Sequence, residues 1–384
     1  MTRPAMCTYR KRPAALYVHI PFCVRRCPYC DFAVAEKGGG LEKRYLEALE
    51  REAARTFPKG FQPRTVFVGG GTPTELSAGG LERLAAIVAK ANLSRVREFT
   101  IEANPGTLAE KKLAILRKMG VTRVSLGAQS FEARHLATLG RSHGPEDVER
   151  SVKAIRGAGI RDVSIDVIFG VPGQTESDVV RDLEKTLALG PDHVSTYGLT
   201  YESGTELALR REKGEVTALS DDRERRLYAL LRHGLREAEF VHYELSNFAR
   251  KGHACAHNRV YWRNGAYVGI GNSAVSHRLG ARIANVRDAA LYTEKVLREE
   301  KWIESVERLP MERKVRETAY LALRTARGIV RSRFLRDLDT DPFELYRDEI
   351  ERLLQLGLLE QDAERVRLSG RGVAVADRIA SEFL

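Results

Sequence analysis

In Leu16-Tyr-Val-His-Ile-Pro-Phe-Cys23-Val-Arg-Arg-Cys27-Pro-Tyr-Cys30-Asp-Phe32, a short apolar run leads directly into three closely spaced cysteines. The apolar run predicts a buried strand, and the cysteines then lie in the loop that follows it. A closed zinc site takes four ligands, with cysteines usually in pairs, and the other cysteines, Cys7 and Cys255, form no second pair. Three close thiolates suit a [4Fe–4S] cluster whose fourth iron is open to a non-protein ligand. Incidental cysteines in a loop are the alternative that this motif alone leaves open.

Length and charge bound the class of protein. The 384 residues suggest one large catalytic domain with a smaller one, or two to three domains. A hydrophobic content of 43% and a charged content of 30% are typical of a globular protein. The net charge of +11 is compatible with nucleic acid, an acidic membrane surface or an anionic ligand. Because basic residues are spread through the chain and mixed with acidic ones, we favour a solvated basic surface.

The sequence also indicates the compartment. The basic stretch 1–12 is followed by no apolar signal region, and no apolar run approaches the roughly 18 residues of a membrane span. Five cysteines without a leader suggest a reducing compartment. We therefore expect a cytoplasmic protein.

Six apolar runs alternate with amphipathic segments in the first half of the chain, and this rhythm predicts parallel strands with helical crossovers. Polar and glycine-rich residues follow each run, where the mouth of a barrel would lie. The fold class expected is α/β, with a partial (βα)6 barrel like a TIM barrel. The six predicted strands are Leu16–Ile20, Thr65–Val68, Arg97–Glu102, Thr122–Leu126, Asp162–Phe169 and His193–Tyr197.

Composition divides the chain into four predicted units: a tail at 1–13, the barrel at 14–215, an extension rich in histidine and aromatic residues at 216–303, and a C-terminal domain at 304–384. The last unit reads as two amphipathic helices followed by a small β-wing, which is the outline of a winged-helix-like α+β domain. No helix rich in Arg and Lys stands out there, so nucleic-acid binding is disfavoured.

Several motifs in one order resemble radical S-adenosylmethionine (SAM) proteins of the oxygen-independent coproporphyrinogen III oxidase type. The resemblance covers roughly residues 14–380 and includes the cysteine motif. The later motifs are Gly69-Gly-Gly-Thr-Pro-Thr74, Glu102-Ala-Asn-Pro105, Gly127-Ala-Gln-Ser130, Leu139-Gly-Arg-Ser-His143 and Asp166-Val-Ile-Phe-Gly-Val-Pro-Gly173. Oxidases of this family carry a further cysteine two positions after the third one, where this chain has Phe32. Phe32 and the motif His257-Asn-Arg-Val-Tyr-Trp262 resemble the heme chaperone branch instead.

The resemblance implies a role for each matching residue. Cys23, Cys27 and Cys30 would hold the cluster, and SAM would chelate its fourth iron. The residues that would contact SAM are Tyr17, Gly70, Gly71, Thr72, Glu102, Gln129, Arg141, Asp166 and Thr200. For Glu102, Arg141 and Asp166, a plain ion pair is the alternative.

The resemblance also implies a heme site. His257 is its best candidate ligand, with a structural histidine as the alternative. Tyr261 and Trp262 are expected in the core, with stacking on a porphyrin as the alternative. Cys255 is expected as a buried free thiol, with a second heme thiolate as the alternative. The chain departs from the family where a histidine commonly follows Gly-x-x-Ala, because Val275 follows Ala274 and the nearest histidine is His277. This departure indicates a divergent heme site.

Two functions remain as hypotheses. The first is a heme chaperone that binds heme and delivers it to apo-haemoproteins. The alternative is an oxygen-independent coproporphyrinogen III oxidase, or another radical SAM oxidoreductase that acts on a tetrapyrrole. Contact with a membrane surface and a homodimer are compatible with either, and a nucleic-acid partner is disfavoured.

Overall fold

The computed structural model describes residues 13–36, 38 and 40–384. The predicted N-terminal tail and Cys7 lie outside the described residues, apart from Pro13. The strands of the first half are β1 Ala15–Ile20, β2 Phe22–Cys23, β3 Ala35–Glu36, β4 Thr65–Gly70, β5 Glu98–Ala103, β6 Arg123–Gln129, β7 Asp162–Phe169 and β8 His193–Gly198.

Helices connect these strands in the order that the sequence predicts. They are α1 Leu41–Thr56, α2 Ala78–Ala89, α3 Glu110–Met119, α4 Ala133–Thr138, α5 Pro145–Gly157 and α6 Glu176–Ala188. Local signals set their ends: Gly120 ends α3 with a φ of 88°, and Thr175 begins α6 in a capping box with Asp178. Short 3₁₀ turns occur at Pro73–Glu75 and Leu93–Arg95.

The extension adds mostly short elements. They are α7 Glu206–Glu212, α8 Asp221–Glu237, β9 Val241–Glu244, β10 Asn247–Ala249, α9 Asn258–Trp262, β11 Tyr267–Ile270, β12 Val275–Arg278, β13 Ala281–Asn285, α10 Ala289–Leu297 and β14 Ile303–Arg308. β14 includes residues on both sides of the predicted boundary between 303 and 304. The division of the chain into four units stays a prediction.

One sheet of twelve strands unites the barrel and the extension, in the order β14-β13-β12-β11-β1-β4-β5-β6-β7-β8-β10-β9. The six predicted strands are parallel neighbours, as expected. β11 adds a seventh parallel strand beside β1, which the sequence reading missed. The outer strands at both ends run antiparallel to their neighbours.

The core lies between the inner strands and the helices. Its strand contributions include Leu16, Val66, Ile101, Val124 and Ile165, which are all fully buried. Strands covered on both faces read as continuous apolar runs, which is why the sequence predicted them well. Each such side chain stabilises the fold by about 1.5–3 kcal/mol.

The C-terminal part forms its own small core. Its elements are α11 Met311–Leu323, β15 Ile329–Val330, α12 Arg331–Leu338, α13 Pro342–Leu345, α14 Arg347–Gln355, β16 Leu359–Gln361, β17 Arg365–Leu368, a 3₁₀ turn at Gly372–Val375, and α15 Ala376–Ser381. Phe334, Tyr346 and Phe383 are buried in this core. The sheet order β15-β17-β16 agrees with the predicted wing. No helix in the described part of the chain is long and apolar enough to cross a membrane.

Candidate cluster and cofactor site at the barrel mouth

The three cysteines of the opening motif lie in the loop after β1. Cys23 ends β2, and the amide of Cys30 donates to the carbonyl of Cys27 at 3.0 Å, which forms a tight turn. All three are partly accessible free thiols. Three thiol groups in one loop are the ligand set that a [4Fe–4S] cluster with one open iron takes.

The environment of the thiols disfavours free thiolates. Burial raises the pKa of Cys23 to about 11, although a contact of 3.7 Å between its sulfur and Oγ1 of Thr72 acts in the opposite direction. Burial also raises the pKa of Cys30. Iron would supply the positive charge that keeps these sulfurs ionised.

Arg141 connects the cysteine loop to the barrel interior. Its Nη1 lies 3.7 Å from the sulfur of Cys27, and its Nη2 donates to Oδ1 of Asn104 at 2.5 Å and to the carbonyl of Gly127 at 2.9 Å. Nδ2 of Asn104 donates to Oγ1 of Thr72 at 2.8 Å. A chain of contacts therefore runs from Cys27 through Arg141, Asn104 and Thr72. The sequence reading missed Asn104, although it belongs to a quoted motif.

The glycines after β4 are required by close packing. A Cβ on Gly71 would lie 2.5 Å from the carbonyl oxygen of Pro21, and one on Gly70 would lie 2.5 Å from the ring of His19. Gly70 also has a φ of 115°, a conformation that glycine adopts without strain. These glycines let the end of β4 pack against the start of the cysteine loop. Thr72 follows them, and its amide donates to the carbonyl of Phe22 at 2.8 Å.

Two carboxyl groups, those of Glu102 and Asp166, face the barrel interior. Oε2 of Glu102 accepts from the amide of Gly70 at 3.0 Å, and burial raises the pKa of Glu102 to about 7, with Asp166 adding to the effect. Oδ1 and Oδ2 of Asp166 each lie 3.1 Å from Oγ of Ser125, and burial raises the pKa of Asp166 too. These two acidic groups, with the charge of Arg141 acting on Asp166, suit a ligand with hydroxyl, ammonium and carboxylate groups.

The remaining predicted SAM contacts lie at different depths. The hydroxyl of Tyr17 is 3.0 Å from Nδ1 of His19, and burial together with Glu102 raises the pKa of Tyr17. Gln129 ends β6 at an irregularity of the strand, with a φ of 66°. Thr200 lies beyond β8 and is exposed.

The structure does not bring His257 to this mouth. Its Nδ1 lies 2.9 Å from Oγ1 of Thr65, the first residue of β4, and its Nε2 lies 2.8 Å from the hydroxyl of Tyr261. The amide of His257 donates to Glu98, the first residue of β5, at 2.8 Å. The side chain is fully buried, and burial lowers its pKa to about 3. His257 therefore lies at the opposite end of the barrel with both ring nitrogens paired, and its role as a heme ligand stays a prediction.

The predicted core residues around His257 are buried or half-buried. Cys255 is buried, and its thiol lies 3.4 Å from Oε1 of Glu98. The ring of Tyr261 packs edge-on against Tyr267, and the guanidinium of Arg324 lies 5.3 Å from the ring centre of Trp262. This motif joins the floor of the barrel to the C-terminal part of the chain.

Comparisons with known proteins identify the family and the fold of the chain. A model described as the radical SAM superfamily matches residues 17–186, and one described as the HemN C-terminal domain matches residues 309–375. The first match supports a [4Fe–4S] cluster and SAM as the cofactors of the site. Coproporphyrinogen III oxidase HemN from Escherichia coli has a similar structure, with a TM-score of 0.85 and 21% identity, over 98% of this chain and 91% of that one. This likeness shows the fold alone.

The relatives with higher sequence identity are proteins of the heme chaperone branch of the family. Heme chaperone HemW of Lactococcus lactis is 34% identical, over 97% of this chain and 98% of that protein. Heme chaperone HemW of Bacillus subtilis is 33% identical, over 96% of this chain and 98% of that protein. The chain therefore belongs to the HemW family of radical SAM proteins.

Proposed function

We propose that this protein is a heme chaperone, which binds heme and passes it to apo-haemoproteins. The observation that carries the proposal is similarity to proteins named heme chaperones along 97% of the chain. Phe32 supports it, because the oxidase branch has a cysteine at that position.

The mouth of the barrel would hold the cofactors. Cys23, Cys27 and Cys30 would bind the cluster, and SAM would occupy the space between Arg141 and the two carboxyl groups. When bound, the cluster supplies one-electron chemistry. The protein holds the loop near Arg141 and Thr72, and burial raises the pKa of both Glu102 and Asp166.

Heme binding through His257 would require a second conformation. Both ring nitrogens of His257 are paired, so α9 and its preceding turn would have to leave the barrel floor before iron reached Nε2. A neutral imidazole is a common axial ligand of heme, and the low pKa of His257 keeps it neutral.

The proposal includes partners and location. Heme and apo-haemoproteins are the expected partners, the cytoplasm is the expected compartment, and a membrane surface or a second copy of the chain would be further contacts. The oxidase activity is the less supported alternative, because the likeness to HemN, at 21% identity, concerns the fold.

A heme titration tests the function. Hemin is added to protein reconstituted anaerobically with iron and sulfide, and to the variants Cys27→Ala and His257→Ala. We expect a stoichiometric change of the heme spectrum with the parent protein, and no cluster absorbance in Cys27→Ala. An unchanged hemin spectrum with the parent protein would contradict the chaperone function.

The His257→Ala arm separates a ligand from a structural residue. In either case the variant loses about 2–4 kcal/mol of unfolding free energy, because it leaves a cavity and unpaired neighbours. If His257 is structural, the molecules that remain folded bind heme as the parent protein does, and weaker heme binding by folded molecules would identify His257 as the ligand. Iron content should match the parent protein in either case.

A further inference from the structure

The cysteine loop is held at its exit by residues that lie far away in the sequence. The carbonyl oxygen of Ala33, three residues after Cys30, lies 3.0 Å from Nε2 of His19 and accepts from Nδ2 of Asn272 at 3.3 Å. Asn272 belongs to the turn between β11 and β12, about 240 positions downstream. The turn thus contacts the loop directly.

Asn272 is fully buried, and its polar atoms are paired. Its Nδ2 also donates to the carbonyl of Arg287 at 2.8 Å, and its Oδ1 lies 2.9 Å from the hydroxyl of Tyr45. The same hydroxyl lies 2.8 Å from the carbonyl oxygen of His19. Asn272 is therefore a fixed link between the loop, β1 and α1.

Arg287 makes a second contact with the loop. Its Nη2 donates to Oδ1 of Asp31 at 2.8 Å and also to the carbonyl oxygen of Asp31, the residue that follows Cys30. The Arg287 side chain is 54% exposed, so the contact lies at the rim of the mouth. Asp31 and Ala33 are thus held on either side of Phe32, whose side chain is 66% exposed.

A buried carboxyl group fixes the turn from behind. Glu52 of α1 accepts from the amide of Gly271 at 2.7 Å, from Nδ2 of Asn285 at 2.6 Å, from the hydroxyl of Tyr292 at 2.5 Å and from Nε1 of Trp302 at 3.2 Å. Four donors on one buried carboxyl group leave the turn little freedom to move.

We propose that Asn272 and Arg287 act as a clamp that keeps Cys30 in place and so sets how long the cluster stays in the protein. Both are positioning residues, because they contact the loop and not the sulfurs. A cluster leaves when the loop opens locally, and each contact across the loop exit opposes that opening. This inference rests on the cluster assignment within the proposed function.

The test measures cluster loss and not activity. Parent protein and the variants Asn272→Ala, Arg287→Ala and Arg287→Lys are reconstituted anaerobically, and the decay of cluster absorbance is followed after an iron chelator is added. Loss of one charge-assisted contact should speed the decay about fivefold in Arg287→Ala, and Arg287→Lys should lie between this variant and the parent protein.

The control is Arg298→Ala, which removes another exposed arginine of the extension. Arg298 pairs with Glu294 at 2.6 Å on the surface of α10, and the variant should decay at the parent rate. Asn272 is buried, so Asn272→Ala could fail to fold for reasons unrelated to the loop. The decay rate of Arg287→Ala, which changes an exposed residue, is therefore the decisive measurement. Decay of Arg287→Ala within about twofold of the parent rate would overturn the clamp. A parent protein that takes up no iron would instead overturn the cluster assignment, whereas the hemin titration reports on the chaperone function separately.

Discussion

Glu102 is a carboxyl group whose charge the barrel interior disfavours. It lies in the interior near Asp166, and one amide donor, that of Gly70, contacts it. Burial raises the pKa of Glu102 from 4.5 to about 7. The folded protein is therefore more stable with this carboxyl group protonated than with it charged. A ligand with positive or hydroxyl groups would reverse this preference.

This leads to a prediction on pH. The metal-free protein should lose stability as pH rises from about 4.5 to about 7, because the folded state binds more protons there than the unfolded chain, and should change little above that range. Glu102→Gln keeps an acceptor for Gly70 and removes the charge. We expect roughly 2 kcal/mol of extra stability at pH 8 and little at pH 5, together with weaker SAM binding.

Urea unfolding at the two pH values, with isothermal titration of SAM to the reconstituted protein, checks this prediction. Glu110→Gln, on the exposed face of α3, is a matched control that should change neither quantity. Equal stability gains for Glu102→Gln at both pH values would show that charge is not the cause.

Some site residues are recognisable from the sequence, and others are not. The three cysteines are recognisable because ligands of one cluster lie close together in the chain. His257 is different, because its partner Thr65 lies 192 positions away and no spacing reveals that pairing. Asn272 and Arg287 were missed for the same reason, since their contacts with Ala33 and Asp31 exist only after the sheet has formed.

At the scale of elements, prediction succeeded for the buried strands and failed for the sheet edges. The six parallel strands are apolar along their length, which makes them visible. β14 is mostly exposed, and β9 to β12 have at most four residues each, so neither alternation nor length identifies them. β11 was not predicted as a strand, because the chain around it is rich in polar and aromatic residues.

The junction between β4 and the cysteine loop gives a prediction at this scale. Gly71→Ala would place a methyl group 2.5 Å from the carbonyl oxygen of Pro21, so β4 and the loop must separate. We expect a loss of about 1–3 kcal/mol of unfolding free energy and reduced iron content after reconstitution.

Gly79→Ala is the control, because a Cβ at Gly79 of α2 meets no atom within 4 Å. It should leave the iron content unchanged and stabilise the protein slightly, by about 0.4–1 kcal/mol. Iron analysis and thermal unfolding measure both effects. Equal iron content in the two variants would mean that close packing at Gly71 does not support the site.

For the whole molecule, the winged-helix outline of the C-terminal part raises the question of nucleic acid. α14 is the helix before the wing, and its exposed residues include Asp348 and Glu351. Acidic side chains on that helix would repel phosphate groups. With three acidic and two basic residues, α14 has no excess of positive charge.

We expect no DNA affinity beyond the about 10⁻⁴ to 10⁻⁶ M range of non-specific binding. Fluorescence anisotropy with a duplex at two salt concentrations measures it. The double variant Asp348→Lys, Glu351→Lys is a positive control for the helix and should bind more tightly at low salt. Tight binding by the parent protein that weakens steeply with salt would contradict this prediction.

The position of His257 at the barrel floor has a consequence for spectroscopy. The strand β4 begins beside His257 and ends next to the cysteine loop, so five residue steps, about 16 Å, separate the two ends. A cluster held at the mouth should therefore give the same magnetic signal in the parent protein and in His257→Ala, because the substitution lies a strand's length away from it.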